Sequence, residues 1–453
     1  MIFDHAMFAS PAHAPYRPTF DLAAVIAGRS RLTDAQFLEL YAQADLLSLG
    51  HWAGAVGQRL HPEDYRTYVI DRNINYTNIC TARCTFCAFK RNDPTAADAY
   101  TLSSEQIYAK IAELVKLGGT QILMQGGMNP ALPIEYYEEL LRGIREKFPG
   151  LHIHAFSPPE FVEFARFFHL PVGEVLRRFQ QAGLATLPGG GGEIFSERVR
   201  QRISPGKCSG EQWLEVMSEA HKLGMFTSAT MLIGHIETIE DRLDHLRRLR
   251  QRQDWALAHA PAHYTAFIHW TYQPANTPLD RKRKWHPDSG APYAFDNGRT
   301  VRLADANEYL RMLALARLYL DNFTHIQSSW VTMGPKIGQL ALFFGANDMG
   351  SVMMEENVVS SAGTTYRLSE EMICRLIRDS GWVPAQRDQY YRVLRRHDGA
   401  DAPDLQPRHP GVFPPRQHRI TAAEAAAYRR GPGTTAAIEF KISAPAGRQS
   451  AKL

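Results

Sequence analysis

Asp71-Arg72-Asn73-Ile74-Asn75-Tyr76-Thr77-Asn78-Ile79-Cys80-Thr81-Ala82-Arg83-Cys84-Thr85-Phe86-Cys87 runs from a strand signal straight into three cysteines spaced C-x3-C-x2-C. A strand is predicted near Asn73 to Thr77, which sets Cys80 in the loop just past its C-terminal end. Outward from this run, between about residue 70 and residue 385, short apolar or β-branched runs alternate with helical periodicity. Ile122 to Met124, Leu151 to Phe156, Thr227 to Ile233, Tyr264 to Trp270 and Ile326 to Val331 read as parallel strands buried on both faces. Further strands are predicted near Leu184 to Leu187 and Asn357 to Ser360. Ser103 to Gln106 and Ser209 to Gln212 are capping boxes, each ahead of an amphipathic helix closed by glycine at Gly118 and Gly224. About eight β/α units result, which is the tally of a TIM-type (β/α)8 barrel.

Upstream, Thr33 to Gly50 is predicted to be one helix of an N-terminal helical cap, taken as residues 1–69. The barrel is taken as 70–394. The chain holds 51 basic and 47 acidic residues, and the excess sits after residue 394, where ten basic residues face five acidic ones among seven prolines. Residues 395–453 are therefore expected to be a disordered tail with one short helix near Thr421 to Arg430. A nucleic-acid-binding role for that tail is the less favoured reading, because it has few aromatics to stack on bases. No run approaches the ~18 apolar residues of a membrane helix, and the N-terminus lacks the basic start and apolar core of a secretory signal. A cytoplasmic protein with reduced thiols is expected, and five cysteines, an odd number, fit poorly with a disulfide framework.

In a barrel, the loops past the C-terminal strand ends converge on one mouth. Cys80, Gln125-Gly126-Gly127, Ser157-Pro158-Pro159-Glu160, Gly189 to Glu193 and His235-Ile236-Glu237-Thr238 all fall at such ends. Three thiolates within eight residues call for a metal. Structural zinc takes four closed ligands, and no Cys or His lies between Cys87 and His152 to complete a set, so a [4Fe-4S] cluster with one open iron is favoured over zinc.

The cysteine pattern, with the aromatic Phe86 directly before Cys87, resembles the radical S-adenosylmethionine (SAM) superfamily, and Gly126-Gly127 resembles its glycine-rich segment. The motifs Asp71 to Asn78, Gln125 to Gly127, Phe156 to Glu160, Pro188 to Ile194, Gly234 to Thr238, Ser329 to Lys336 and Gly345 to Asn357 narrow the resemblance to the dehypoxanthine futalosine cyclases of menaquinone biosynthesis. Aminofutalosine synthase and the deazaflavin (FO) synthases are the alternatives within the superfamily. The resemblance implies a [4Fe-4S] cluster on Cys80, Cys84 and Cys87, and SAM or substrate against Phe86, Gly126, Gly127, Ser157 and Glu193. It makes Glu160, His235 and Glu237 candidates for substrate contact or for the base. It further implies a small-molecule substrate and a low-potential electron donor such as flavodoxin or ferredoxin. Arg83, Arg198 and Lys336 are candidates to meet the benzoate carboxylate, Trp270 and Trp330 to wall the cavity or pack in the core. Gly192, His269 and the segment Trp255 to His263 depart from the family pattern and are expected near the mouth or a connection. Cys208 and Cys374 are expected to be bystanders.

Overall fold

The strand expected at Asn73 to Thr77 starts earlier and runs in two segments, β1 (Tyr65–Val69) and β2 (Asp71–Ile74), in the computed structural model of the chain. The structure describes residues 16–281, 283–284, 293–295, 300–301, 303–406 and 422–428. Six more barrel strands follow: β3 (Gln121–Met124), β4 (His152–Ala155), β5 (Thr227–Ile233), β6 (Tyr264–Thr271), β7 (His325–Gln327) and β8 (Asp348–Ser351). The pairings are all parallel. β2 pairs with β3 and β3 with β4; β5 pairs with β6, β6 with β7 and β7 with β8, and β8 returns to β1 through Thr67 opposite Asp348. Between β4 and β5 two single bridges, His154 to Thr186 and Leu187 to Thr227, fill the position predicted for a strand at Leu184 to Leu187.

Helices lie outside this ring, each turning an apolar stripe inward, as Ile107, Ile111 and Leu114 do on Ser104–Lys116. Both predicted capping boxes are present, Ser103 with Gln106 and Ser209 with Gln212. The cap helix expected over Thr33 to Gly50 is two helices, Asp34–Gln43 and Leu46–Leu60. Asp45 breaks it, because its carboxylate accepts from the Ser48 N–H at 2.9 Å and starts the second helix.

Two strand predictions change. The eighth strand is Asp348–Ser351, and the β-branched run near Asn357 is a helical turn, Val358–Ser361. Glu356 decides this by accepting from the N–H groups of Val358, Val359 and Ser360 at 2.8, 2.8 and 2.6 Å. The strand expected through Val331 stops at Gln327, and Trp330–Met333 is helical.

After the barrel, β9 (Val383–Arg387) pairs with β1, and β10 (Val393–Arg396) pairs antiparallel with β9. The sequence boundaries at 69/70 and 394/395 therefore fall within the two-segment first strand and within β10. The turn between β9 and β10 reaches under the barrel. Gln389 Oε1 accepts from Gln121 Nε2 at 2.8 Å, and Tyr391 stacks on His325 with ring centroids 3.8 Å apart. Gln121 and His325 open β3 and β7, so this hairpin turn closes the N-terminal end of the barrel. Of the expected tail helix, Ala422–Tyr428 is helical, whereas residues 407–421 and 429–453, on which the disorder expectation falls, lie outside the described residues. No helix among the described residues is long and apolar enough to cross a membrane.

Candidate active site

Alternation along the first strand sends Val69, Asp71, Asn73 and Asn75 to the barrel interior, where they line a cavity of about 390 Å³ together with Asn78 and Cys80. That volume is in the range of small-molecule sites. Cys84 and Cys87 line the same cavity, so the structure brings all three predicted ligands to one wall.

The cysteine loop is pinned by backbone groups of three other segments, around Arg91, Met128 and Ile203 to Pro205. Cys80 N–H donates to Arg91 O at 2.9 Å, Thr81 N–H to Met128 O at 3.0 Å, Arg83 N–H to Pro205 O at 3.0 Å and Thr85 N–H to Ile203 O at 2.6 Å. Asn92 Nδ2 donates to the carbonyls of Cys80 and Ala82 at 2.7 and 2.9 Å. Burial raises the Cys80 thiol and pushes Cys84 up to about 12, so a metal would displace protons that otherwise stay on sulfur. Among the described residues no three Cys, His, Asp or Glu side chains converge as ligands of a single ion. Three cysteine thiols on one cavity wall are the donor set that a [4Fe-4S] cluster takes from a protein.

Gly127 explains how the loop lies so close. A Cβ there would sit 2.1 Å from Ile79 O, on the peptide that leads into Cys80. The glycine thus serves the cysteine loop directly. Its neighbour Gly126 is fixed by Glu160, whose Oε1 accepts from Gly126 N–H at 3.0 Å and from Tyr76 Oη at 2.7 Å. The other oxygen accepts from Ser157 N–H at 2.7 Å and Ser157 Oγ at 2.6 Å. Burial raises the Glu160 carboxyl against these four donors, which favour its charged form. Glu160, Ser157, Gly126 and Gly127 all line the cavity.

Three residues of the cavity wall, Glu193, Met353 and Tyr391, and Phe156 just before Ser157, have left-handed backbone. Phe156, Glu193, Met353 and Tyr391 have φ of 58°, 41°, 51° and 64°. Such conformations cost roughly 1–3 kcal/mol each and persist where the surroundings dictate them. At Phe156 the surroundings are the rings of Tyr76, Tyr137, Phe164 and Phe179, with centroids 5.4 to 5.8 Å away.

Glu193 lines the cavity and pairs with Lys207 Nζ at 2.7 Å. Burial alone would lower Lys207, and the Glu193 carboxylate overrides it, so the ammonium is held charged 5.5 Å over the Phe86 ring. Lys207 escapes sequence reasoning because a loop folded back over fourteen positions, not a motif, creates the contact. His235 and Glu237 are placed elsewhere. Glu237 accepts from the N–H groups of Gly234 and His235 at 2.6 and 2.8 Å and pairs with Arg242 at 2.8 Å, and neither residue is part of the cavity wall.

Arg83, Arg198 and Lys336 also lie off the cavity wall, Arg198 being paired with Asp241; the basic residues that do line it are Lys90, Lys207 and Arg387. Trp270 and Trp330 line it too. Of the departures from the family pattern, His269 is fully buried on the outer side of β6, its ring stacked on Tyr309, and Trp255 to His259 are the last turn of the helix Ile239–His259. Trp255 to His263 thus spans the end of that helix and its connection into β6, and His269 faces away from the cavity that its neighbours Ile268 and Trp270 line. At Gly192 a Cβ would stand 2.7 Å from Thr230 O. Cys208 and Cys374 are buried outside the cavity wall.

Residues 74–249 match the Radical SAM superfamily model. The chain belongs to the radical SAM superfamily. Residues 261–398 match the CofH/MqnC C-terminal region, which includes the floor hairpin. The chain is 43% identical over 372 residues to a cyclic dehypoxanthine futalosine synthase of Halalkalibacterium halodurans, covering 82% of this chain and 94% of that protein. It is 44% identical over 387 residues to the protein of the same name from Streptomyces coelicolor, covering 85% and 90%. Among solved structures, methylornithine synthase (PylB) is similar in fold, with a TM-score of 0.60 at 19% identity, covering 80% of this chain and 97% of that one.

Proposed function

We propose that this chain is a radical SAM cyclase that converts dehypoxanthine futalosine to its cyclic form. The observation that carries this reading is that three thiols in C-x3-C-x2-C spacing share one barrel cavity in a chain 43–44% identical, over more than four fifths of its length, to two cyclases of that name. Cys80, Cys84 and Cys87 would hold the cluster. When bound, such a cluster with SAM would supply the one-electron chemistry that removes a hydrogen atom from the substrate ribose, and the cyclised product is the substrate less two hydrogen atoms, SAM being the net oxidant.

The protein's own part is placement. Gly127 lets the cysteine loop lie against the β3 turn, and Glu160, with both oxygens engaged, acts as a positioning residue for that turn and for Ser157. The Glu193 and Lys207 pair sets opposite charges beside Cys84 for the polar ends of SAM. Trp270 and Trp330 wall the cavity, and the Gln389 turn seals its far end against water. His235 and Glu237 brace the start of the helix Ile239–His259 through Arg242. A low-potential one-electron donor such as flavodoxin or ferredoxin would serve the enzyme in the cytoplasm.

The test is anaerobic incubation of reconstituted, reduced protein with SAM and dehypoxanthine futalosine. The expected result is 5′-deoxyadenosine with a product lighter than substrate by two hydrogen atoms. Turnover of an enolpyruvyl-benzoate substrate alone would overturn the assignment.

A further inference from the structure

The floor of the cavity carries hydrogen-bonding capacity that the protein leaves unused. Asp71 and Gln121 stand opposite each other in the β2–β3 register, and Asn73 lies two residues up the same face. Among the described residues the Asn73 side chain has no hydrogen-bond partner, and its Oδ1 is buried. Gln121 spends its amide on Asp71 Oδ2 at 3.3 Å and Gln389 Oε1 at 2.8 Å, which leaves Gln121 Oε1 buried and unpaired. Asp71, 5% exposed, accepts from Ser351 and Gln121 and forms no ion pair among the described residues. Its nearest cation partner is taken, since Arg387 is engaged by Asp348 at 2.6 and 2.9 Å.

Asn73 Oδ1, Gln121 Oε1 and the Asp71 carboxylate accept, and the Asn73 amide can also donate, so this pleat asks for a ligand whose groups both donate and accept. A carboxylate is the wrong complement. It has no donor when ionised, and here it would meet Asp71 without a free cation to offset the repulsion. A sugar diol is the right one, because each hydroxyl gives one hydrogen and neighbouring hydroxyls match neighbouring acceptors. Burial pushes Asp71 up to about 6 despite its hydrogen bonds from Ser351 and Gln121, so above that pH it only accepts.

We infer that Asp71, Asn73 and Gln121 form the polyol subsite, which receives the ribose hydroxyls of the substrate and leaves its aryl carboxylate to another part of the cavity. This rests on the cyclase reading. The site sets specificity for the oxygenated sugar, since a substrate lacking one hydroxyl leaves an acceptor buried and unpaired.

The experiment compares dehypoxanthine futalosine with its ribose-deoxy analogues on reconstituted holoenzyme, wild type against Asn73→Ala and Asp71→Asn, with substrate affinity also measured calorimetrically without SAM. Wild type should lose about tenfold or more in kcat/KM on at least one deoxy analogue. Asn73→Ala should raise KM and Kd for the parent by a similar factor, erase that discrimination, and keep the wild-type melting temperature because the Asn73 side chain has no hydrogen-bond partner among the described residues. Unchanged KM, Kd and discrimination in both variants, with wild type active, would overturn the subsite alone. No cyclic product from wild type would overturn the cyclase reading and this assignment with it.

Discussion

Replacing Gly127 by alanine should dismantle the cluster site without touching a cysteine. The added methyl would lie 2.1 Å from Ile79 O and 2.7 Å from Ile79 C, both backbone atoms that cannot rotate away. Ordinary carbon-to-oxygen contact is about 3.3 Å, so the peptide entering Cys80 must retreat by roughly 1 Å. Metal–ligand distances tolerate about 0.2 Å, several times less than that retreat. The overpacking itself should cost about 1–3 kcal/mol. Gly150→Ala is the matched control, because nothing lies within 4 Å of its Cβ position. Iron and sulfide per chain after anaerobic reconstitution, with the thermal midpoint from circular dichroism, measure both effects. The expected result is Gly127→Ala with little iron and a lowered midpoint beside an unaffected Gly150→Ala. Full iron content and an unchanged midpoint in Gly127→Ala would refute the claim that this close approach holds the loop.

Cys80→Ala, Cys84→Ala and Cys87→Ala should each lose reconstituted iron and its visible absorption, while Cys208→Ala and Cys374→Ala retain both. Lys207→Met leaves the Glu193 carboxylate buried without its partner and should cost about 3–5 kcal/mol in denaturant unfolding. Adding Glu193→Gln should recover most of that loss, and equal stability of single and double variants would argue against the pair. Glu237 is destabilised in its charged form by burial but held far below the usual carboxylate range by His235 and Arg242. Its contribution is therefore present above the unfolded value of about 4.3 and lost as pH falls toward the folded one. Glu237→Gln should be less stable at neutral pH and show a shallower acid limb, and an identical acid limb would count against the clasp.

Much of this was legible in the chain because local chemistry and tertiary structure agree. The runs at Thr227 and Tyr264 are strands, and Ser103 and Ser209 cap helices, since hydrophobic period and side-chain capping act within a few residues. The eighth strand misled because Asp348-Met349-Gly350-Ser351 is polar and small where it enters the barrel, whereas Val358-Val359 looks like a strand and is held helical by Glu356. The cysteine loop was readable because its spacing is its chemistry. Lys207, Gln389 and the unpartnered Asn73 were not, because each acquires meaning only from a segment distant in the chain that folds against it.

The hairpin turn around Gln389 has a consequence for how the enzyme comes into being. The ring of strands is complete at Ser351, yet its lower opening stays unstoppered until Val383 to Arg396 have left the ribosome. A nascent or truncated chain ending before that point would lack the Gln389 and Tyr391 contacts on Gln121 and His325, leaving the underside of the cysteine cavity uncovered until the last hairpin arrives.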